Sequence, residues 1–258
     1  MTVLEAAGQT LEVRRLPGLA GRPTLVLLHE GLGSVSLWRD FPDRLARETG
    51  CPVFVYSRAG YGASSPVEVP RPLDYMQREG RDVLGRVLDA AGLDRVVLVG
   101  HSDGASIALV HAGCDTGSRV EGVVVMAPHT FVEPVCVTSI QTARQAYAEG
   151  DLRARLERHH GANVDCAFWG WNRAWLDPGF LKWDIRDYLP AIRAPVLAIQ
   201  GEDDEYGTLA QIDTLREMVQ APFASLILPD CGHSPHRDQP DAVVRRIGLY
   251  VKELTGCA

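Results

Sequence analysis

From residue 24 onward, short and continuous apolar runs alternate with longer stretches whose apolar residues recur at helical spacing. The runs cover residues 24–28, 53–56, 96–99, 123–126, 196–199 and 226–228 and consist largely of Val, Leu and Ile. That texture predicts strands buried on both faces, as in a parallel sheet covered by its crossover helices. Two earlier segments, 3–6 and 10–15, flank Gly8 and predict an opening hairpin, which makes eight strands. Helices are expected over 38–49, 73–91, 102–112, 209–219 and 241–254. In the second, Leu73, Met76, Val83, Leu84, Val87 and Leu88 mark one face.

The alternation breaks once. Between Met126 and Val196 no strand pattern occurs, but helical stretches do, over 138–148, 152–159 and 164–175. Four of the five tryptophans fall there: Trp169, Trp171, Trp175 and Trp183. A helical, aromatic insertion predicts a cap over the carboxyl ends of the strands and an apolar pocket roof. Trp169, Trp171 and Trp175 are its candidate substrate contacts. The expected organisation is a core over 1–131 and 191–258 with a cap over 132–190. The fold class is therefore α/β: an eight-stranded, mostly parallel sheet, helices on both faces, and a helical cap after the sixth strand.

The run at 96–99 leads directly into Gly100-His101-Ser102-Asp103-Gly104 and then into the small-residue stretch 105–109. Strand, tight turn and helix in that order form a nucleophile elbow, in which flanking glycines permit the bend and a serine stands at its tip. The helix behind aims free N–H groups and the positive end of its dipole at the same place.

Composition narrows the function classes. With 258 residues, 46% hydrophobic and 23% charged, the chain has apolar material for one large core plus an insertion. A formal net charge of −7 and scattered Lys and Arg argue against a nucleic-acid partner. No basic-then-apolar leader opens the chain, and no run approaches the roughly 18 apolar residues of a membrane helix. The expectation is a cytoplasmic monomer or homodimer, with a small-molecule substrate and no membrane partner. Cysteines 51, 114, 136, 166, 231 and 257 lack metal-ligand spacing and are expected to be free thiols. Cys231 lies close to His233, which makes a cysteine nucleophile an alternative to the better-placed Ser102. His159 and His160 are adjacent on a helix and do not face one another, so they are expected at the surface. No metal and no cofactor is implied.

Four motifs make the chain resemble the α/β-hydrolase superfamily from about Thr24 to the C-terminal helix. The segment Leu27-Leu28-His29-Glu30-Gly31-Leu32-Gly33 is similar to the family's His-Gly oxyanion segment, with Glu30 where a glycine is usual. Ser57-Arg58-Ala59-Gly60-Tyr61-Gly62-Ala63-Ser64 is similar to its Asp-x-x-Gly-x-Gly-x-Ser turn, with Ser57 in place of the acid. The elbow at Ser102 is the third motif. The fourth pairs Gly201-Glu202-Asp203-Asp204 with Gly232-His233-Ser234-Pro235, which resemble the acid and base loops.

The resemblance implies Ser102 as nucleophile, His233 as its base, and a carboxylate that holds the imidazole tautomer. The family's spacing from Gly201 selects Asp204, with Asp203 as the second choice. The N–H groups of Asp103 and Gly31, with Leu32 in reserve, would form the oxyanion hole. His101 is expected in the elbow's scaffold and His236 in the lead-in to the last helix. Glu30 and Asp103 either flank the oxyanion region and disfavour an anionic substrate there, or turn outward and pair with an arginine such as Arg58. Glu30, Leu32 and His129, which follows the sixth strand, join the substrate-contact candidates.

The expected reaction is hydrolysis of a carboxylic ester of a small apolar or aromatic substrate through an acyl-enzyme on Ser102. Hydrolysis of C–C bonds in ring-cleavage products, of thioesters and of enol-lactones uses the same logic and stays open. An epoxide hydrolase or haloalkane dehalogenase would need Asp at the elbow tip, where Ser102 stands. A hydrolase-like ligand receptor, which needs only fold and pocket, is the non-enzymatic alternative.

Overall fold

A computed structural model describes residues 2–256; Met1, Cys257 and Ala258 lie outside them, so one of the six expected free thiols is not described. The other five cysteines are unpaired. Strands β1 (Thr2–Ala6) and β2 (Gln9–Leu16) form the expected hairpin. Its two turn residues, Ala7 and Gly8, have φ of 52° and 76°, the paired positive values that match the twist of the flanking strands.

Six further strands follow: β3 (Thr24–Leu28), β4 (Val53–Tyr56), β5 (Val96–His101), β6 (Val120–Met126), β7 (Val196–Gly201) and β8 (Phe223–Leu228). The sheet order is β1-β2-β4-β3-β5-β6-β7-β8, antiparallel at β1-β2 and β2-β4 and parallel from β4 to β8. Every residue of β4, β5 and β7 is buried, which accounts for their unbroken apolar runs. Alternate side chains feed two cores. Val26, Leu28, Leu98 and Val125 enter one, while Leu25, Leu27, Val99 and Met126 enter the other.

The helices in chain order are α1 (Phe41–Thr49), α2 (Tyr75–Arg78), α3 (Leu84–Ala91), α4 (Asp103–Cys114), α5 (Pro134–Glu149), α6 (Leu152–His160), α7 (Val164–Trp175), α8 (Ala210–Met218), α9 (Pro235–Asp238) and α10 (Pro240–Thr255). Phe41 and Leu45 of α1 meet Val243, Ile247 and Val251 of α10 in the second core. The stretch expected as one helix over 73–91 is interrupted by a π-helical turn, Glu79–Val83, between α2 and α3. Close packing against α4 accompanies it: His111 Nδ1 donates to the Gly80 carbonyl at 2.8 Å, and a Cβ on Gly80 would stand 2.8 Å from the Ile107 carbonyl.

Helices α5, α6 and α7 lie between β6 and β7 in the chain. Cys136, Ile140, Phe168, Trp171 and Trp175 from this insertion belong to the same apolar cluster as one face of the sheet. One expectation fails here: His160 is only 2% exposed. Its Nδ1 accepts from the Gly62 amide at 3.0 Å and its Nε2 donates to the Leu32 carbonyl at 2.9 Å. Two backbone groups satisfy both ring nitrogens, which is what permits an imidazole to leave water at the end of a polar helix.

Candidate active site

The parallel strands deliver their following loops to one edge of the sheet, where α/β proteins bind ligands. At the end of β5 the chain turns so sharply that Ser102 adopts φ 51° and ψ −119° before α4 begins. A backbone so placed costs on the order of 1–3 kcal/mol and persists only where its surroundings enforce it. The flanking glycines are what the turn requires. A Cβ on Gly104 would fall 2.0 Å from the Leu28 carbonyl oxygen, and one on Gly100 would fall 2.4 Å from the Gly104 carbonyl oxygen.

The loop after β8 carries His233 back over this elbow, and the loop after β7 brings Asp204 behind it. Ser102 Oγ lies 2.9 Å from His233 Nε2, and His233 Nδ1 lies 2.8 Å from Asp204 Oδ1. An ionised carboxylate only accepts, so Nδ1 donates to Asp204 and Nε2 is left to accept from the serine hydroxyl. Burial works to raise the Asp204 pKa, but the hydrogen bond and charge of His233, with the Tyr206 amide, outweigh it and hold the acid below its usual range. Asp204 Oδ1 also accepts from the amides of Tyr206 at 2.8 Å and Gly207 at 3.2 Å. Asp203 takes no part: its amide donates to the Cys231 carbonyl and no contact links its carboxylate to His233. Burial, then Asp238, pushes the Cys231 thiol up to about 11, so it stays protonated at neutral pH.

Ser102 opens on a cavity of about 230 Å³. Of the candidate substrate contacts and oxyanion donors, Glu30, Gly31, Leu32, Asp103, His129, Trp171 and Trp175 line it, and so does His233. The Asp103 amide is the first of α4 and has no acceptor within its own helix. Trp169 stands apart from the cavity. It meets Tyr147 and Phe168 edge-on and carries Arg144 and Arg173 over its face. Helical phase explains the split: Trp171 and Trp175 are four residues apart and share a face of α7, whereas Trp169 is two residues from Trp171 and points elsewhere.

Six lining residues were not foreseen as such: His101, Cys136, Ile140, Glu205, Tyr206 and Ser234. Cys136 and Ile140 are an i, i+4 pair on α5, and Glu205, Tyr206 and Ser234 directly follow Asp204 and His233. Those spacings were the available signals.

Residues 25–246 match the alpha/beta hydrolase family. The chain belongs to that family. It is 24% identical over 277 residues to epoxide hydrolase 4 of Homo sapiens, an alignment covering 92% of this chain and 75% of that protein. Among solved structures, an esterase from Exiguobacterium antarcticum superposes with a TM-score of 0.77 at 19% identity, covering 97% of this chain and 99% of the other. The enol-lactonase of Burkholderia xenovorans LB400 superposes with a TM-score of 0.71 at 18% identity, covering 97% and 100%. These structural likenesses speak to the fold.

In this α/β hydrolase the two unusual acids, Glu30 and Asp103, do not turn outward to pair with Arg58. Buried Arg58 instead donates to the carbonyls of His29 and Glu30, beneath the loop that follows β3. The Glu30 carboxylate lies 3.3 Å from Arg237 Nη2 and 3.6 Å from the His101 ring. Burial opposes its charge, but His101 and then Arg237 hold its pKa well below the usual carboxylate range. His101 Nε2 donates to the His233 carbonyl at 2.7 Å, which ties the elbow to the histidine loop. Asp103 is fully buried, and its Oδ2 accepts from Tyr75, which accepts from Trp175 Nε1 at 3.0 Å. Burial raises the Asp103 carboxyl above its usual range against the pull of Arg58.

Proposed function

We propose that the chain is a serine hydrolase that cleaves a carboxylic ester of a small apolar or aromatic substrate through an acyl-enzyme on Ser102. One observation carries this reading: the continuous Ser102–His233–Asp204 hydrogen-bond chain, at 2.9 and 2.8 Å, opening on a cavity bordered by Gly31 and Asp103. His233 Nε2 takes the hydroxyl proton as Ser102 Oγ bonds to the ester carbon, and the carbonyl π pair moves to oxygen. The amides of Asp103 and Gly31 hold that oxyanion. Its collapse re-forms the C=O bond and breaks the bond to the leaving alcohol, which takes the proton from His233. Water then attacks the acyl carbon, yields its proton to His233, and releases the carboxylic acid as the proton returns to Ser102 Oγ. Asp204 compensates the imidazolium in each half.

The size and lining of the cavity support the substrate class. Its volume of about 230 Å³ falls below the roughly 300–1,000 Å³ of drug-sized sites. Cys136, Ile140, Trp171 and Trp175 supply apolar walls, and all four come from the insertion, which on this reading is a cap over 132–190. Likeness to an esterase and an enol-lactonase fits, since a lactone is an internal ester. The epoxide hydrolase likeness is weighed by the elbow tip, where Ser102 stands and Asp103 is turned down onto Tyr75.

Initial rates over p-nitrophenyl esters of rising acyl length, for the wild type and Ser102→Ala, test the proposal. The expected outcome is turnover that favours short acyl groups and falls by about 10⁶-fold in the variant. Equal rates for the two proteins, or no ester turned over by the wild type, would contradict it.

A further inference from the structure

We infer that the indole N–H of Trp171 is a third donor to the oxyanion, supplied by the helical insertion rather than by the strand-end loops. The inference rests on the reading of Ser102 as nucleophile. Trp171 lines the cavity together with Ser102, Gly31 and Asp103. Its five-membered ring lies directly on the loop after β3: a Cβ on Gly31 would stand 2.3 Å from both Cδ1 and Nε1 of Trp171. The absence of a side chain at Gly31 is therefore what lets this edge of the indole settle beside a proposed oxyanion donor.

Trp169 stands apart from the cavity, and the three remaining tryptophans differ from Trp171. Trp175 Nε1 donates to Tyr75 at 3.0 Å and Trp183 Nε1 to Gln77 at 2.8 Å, while Trp38 Nε1 is shut in the core without an acceptor. Trp171 Nε1 has no acceptor among the described residues, and it borders a cavity rather than a closed core. The loop carbonyls on either side of Gly31 already have donors: Glu30 accepts from His29 and Arg58, and Leu32 from His160.

An indole N–H can only donate, and a substrate oxygen brought beside Gly31 gives it an acceptor within the cavity. Beside Gly31 the atom that gains negative charge during the reaction is the ester carbonyl oxygen. A donor held there by packing acts more strongly on the oxyanion than on the neutral carbonyl, which raises kcat rather than tightening ground-state binding. The insertion thereby contributes to the chemistry as well as to the pocket's shape.

Trp171→Phe keeps an aromatic ring and removes the N–H. With the best p-nitrophenyl ester, kcat is expected to fall about 10²-fold while KM stays nearly constant. A raised KM with kcat intact, or unchanged kinetics, would overturn the inference. A second readout uses the wild type, and its null outcome stands even if the variant does not fold. Reaction with a p-nitrophenyl alkylphosphonate bonds Ser102 Oγ to phosphorus, expels p-nitrophenolate, and sets the phosphoryl oxygen where the oxyanion would form. Of the five tryptophan indole ¹H–¹⁵N resonances, one is then expected to move downfield, and its absence from the spectrum of a folded Trp171→Phe protein would assign it. Five unmoved resonances on a fully phosphonylated protein would overturn the inference. A wild type inert to both ester and phosphonate would remove the serine-hydrolase reading itself, a different and separable result.

Discussion

The strand-end loops and the helical insertion meet at one cavity, yet different forces hold them. At the strand ends, polar contacts dominate: Ser102 to His233, His233 to Asp204, His101 to the His233 carbonyl, and Arg237 to Glu30. In the insertion, rings do most of the work. Tyr147 stacks on Phe168 with centroids 3.6 Å apart, and Trp175 packs on Phe180 at 4.7 Å. Hydrogen bonds specify direction, which a proton-transfer chain needs, whereas aromatic packing specifies volume, which a pocket wall needs. The same kind of substitution should therefore have different consequences on the two sides.

The sharpest test of that contrast is Asp204→Asn, which conserves volume and removes a charge. It is expected to lower kcat by about 10⁴-fold, because the neutral amide no longer enforces the Nδ1–H tautomer of His233. Circular dichroism and ester kinetics together would separate this from unfolding. On the other side, Ile140→Ala conserves polarity and removes volume. Ile140 is fully packed in the cavity wall, so its truncation is expected to cost about 2–5 kcal/mol in urea unfolding. The acyl-length optimum should shift toward longer chains. Loss of turnover with every acyl group, in a folded protein, would show that Ile140 does more than fill volume.

The smallest expected effect lies where the two regions touch. His129 is buried between His233 and Trp175, and burial, then His233, depresses its pKa to about 3. Its unfolded value is about 6.5, so between the two values the unfolded chain binds the extra proton. Stability therefore rises with pH across that window and is lost as pH falls. One such group contributes a slope of about 1.4 kcal/mol per pH unit. His129→Leu should flatten the acid limb of urea stability by that amount, and an unchanged limb would show that His129 already titrates normally in the fold.

The two regions also differ in how far they could be read from the chain. Strands β3 to β7 stand out because burial on both faces writes a continuous apolar run, the opening hairpin because its two segments flank Gly8, and the elbow because its sterics demand small residues at Gly100 and Gly104. The proximity of Ser102, Asp204 and His233 follows from parallel strands delivering their loops to one edge. The insertion is visible as a break in the alternation, but its side-chain directions are not. Trp169, Trp171 and Trp175 look alike in sequence, and only the phase of α7 against α5 sends the first away from the cavity. His160 and Glu30 were illegible for a related reason. Their partners, the Leu32 carbonyl and Arg237, lie 128 and 207 residues away, and no local pattern encodes such pairs.

The central claim is that Ser102 carries the acyl group. The most direct measurement is rapid acid quench of the wild type during turnover of its best p-nitrophenyl ester, followed by intact-mass and peptide mass spectrometry. The account predicts an added acyl mass confined to the peptide containing Ser102 and absent from Ser102→Ala. An adduct located on Asp103 or Cys231 instead would contradict it.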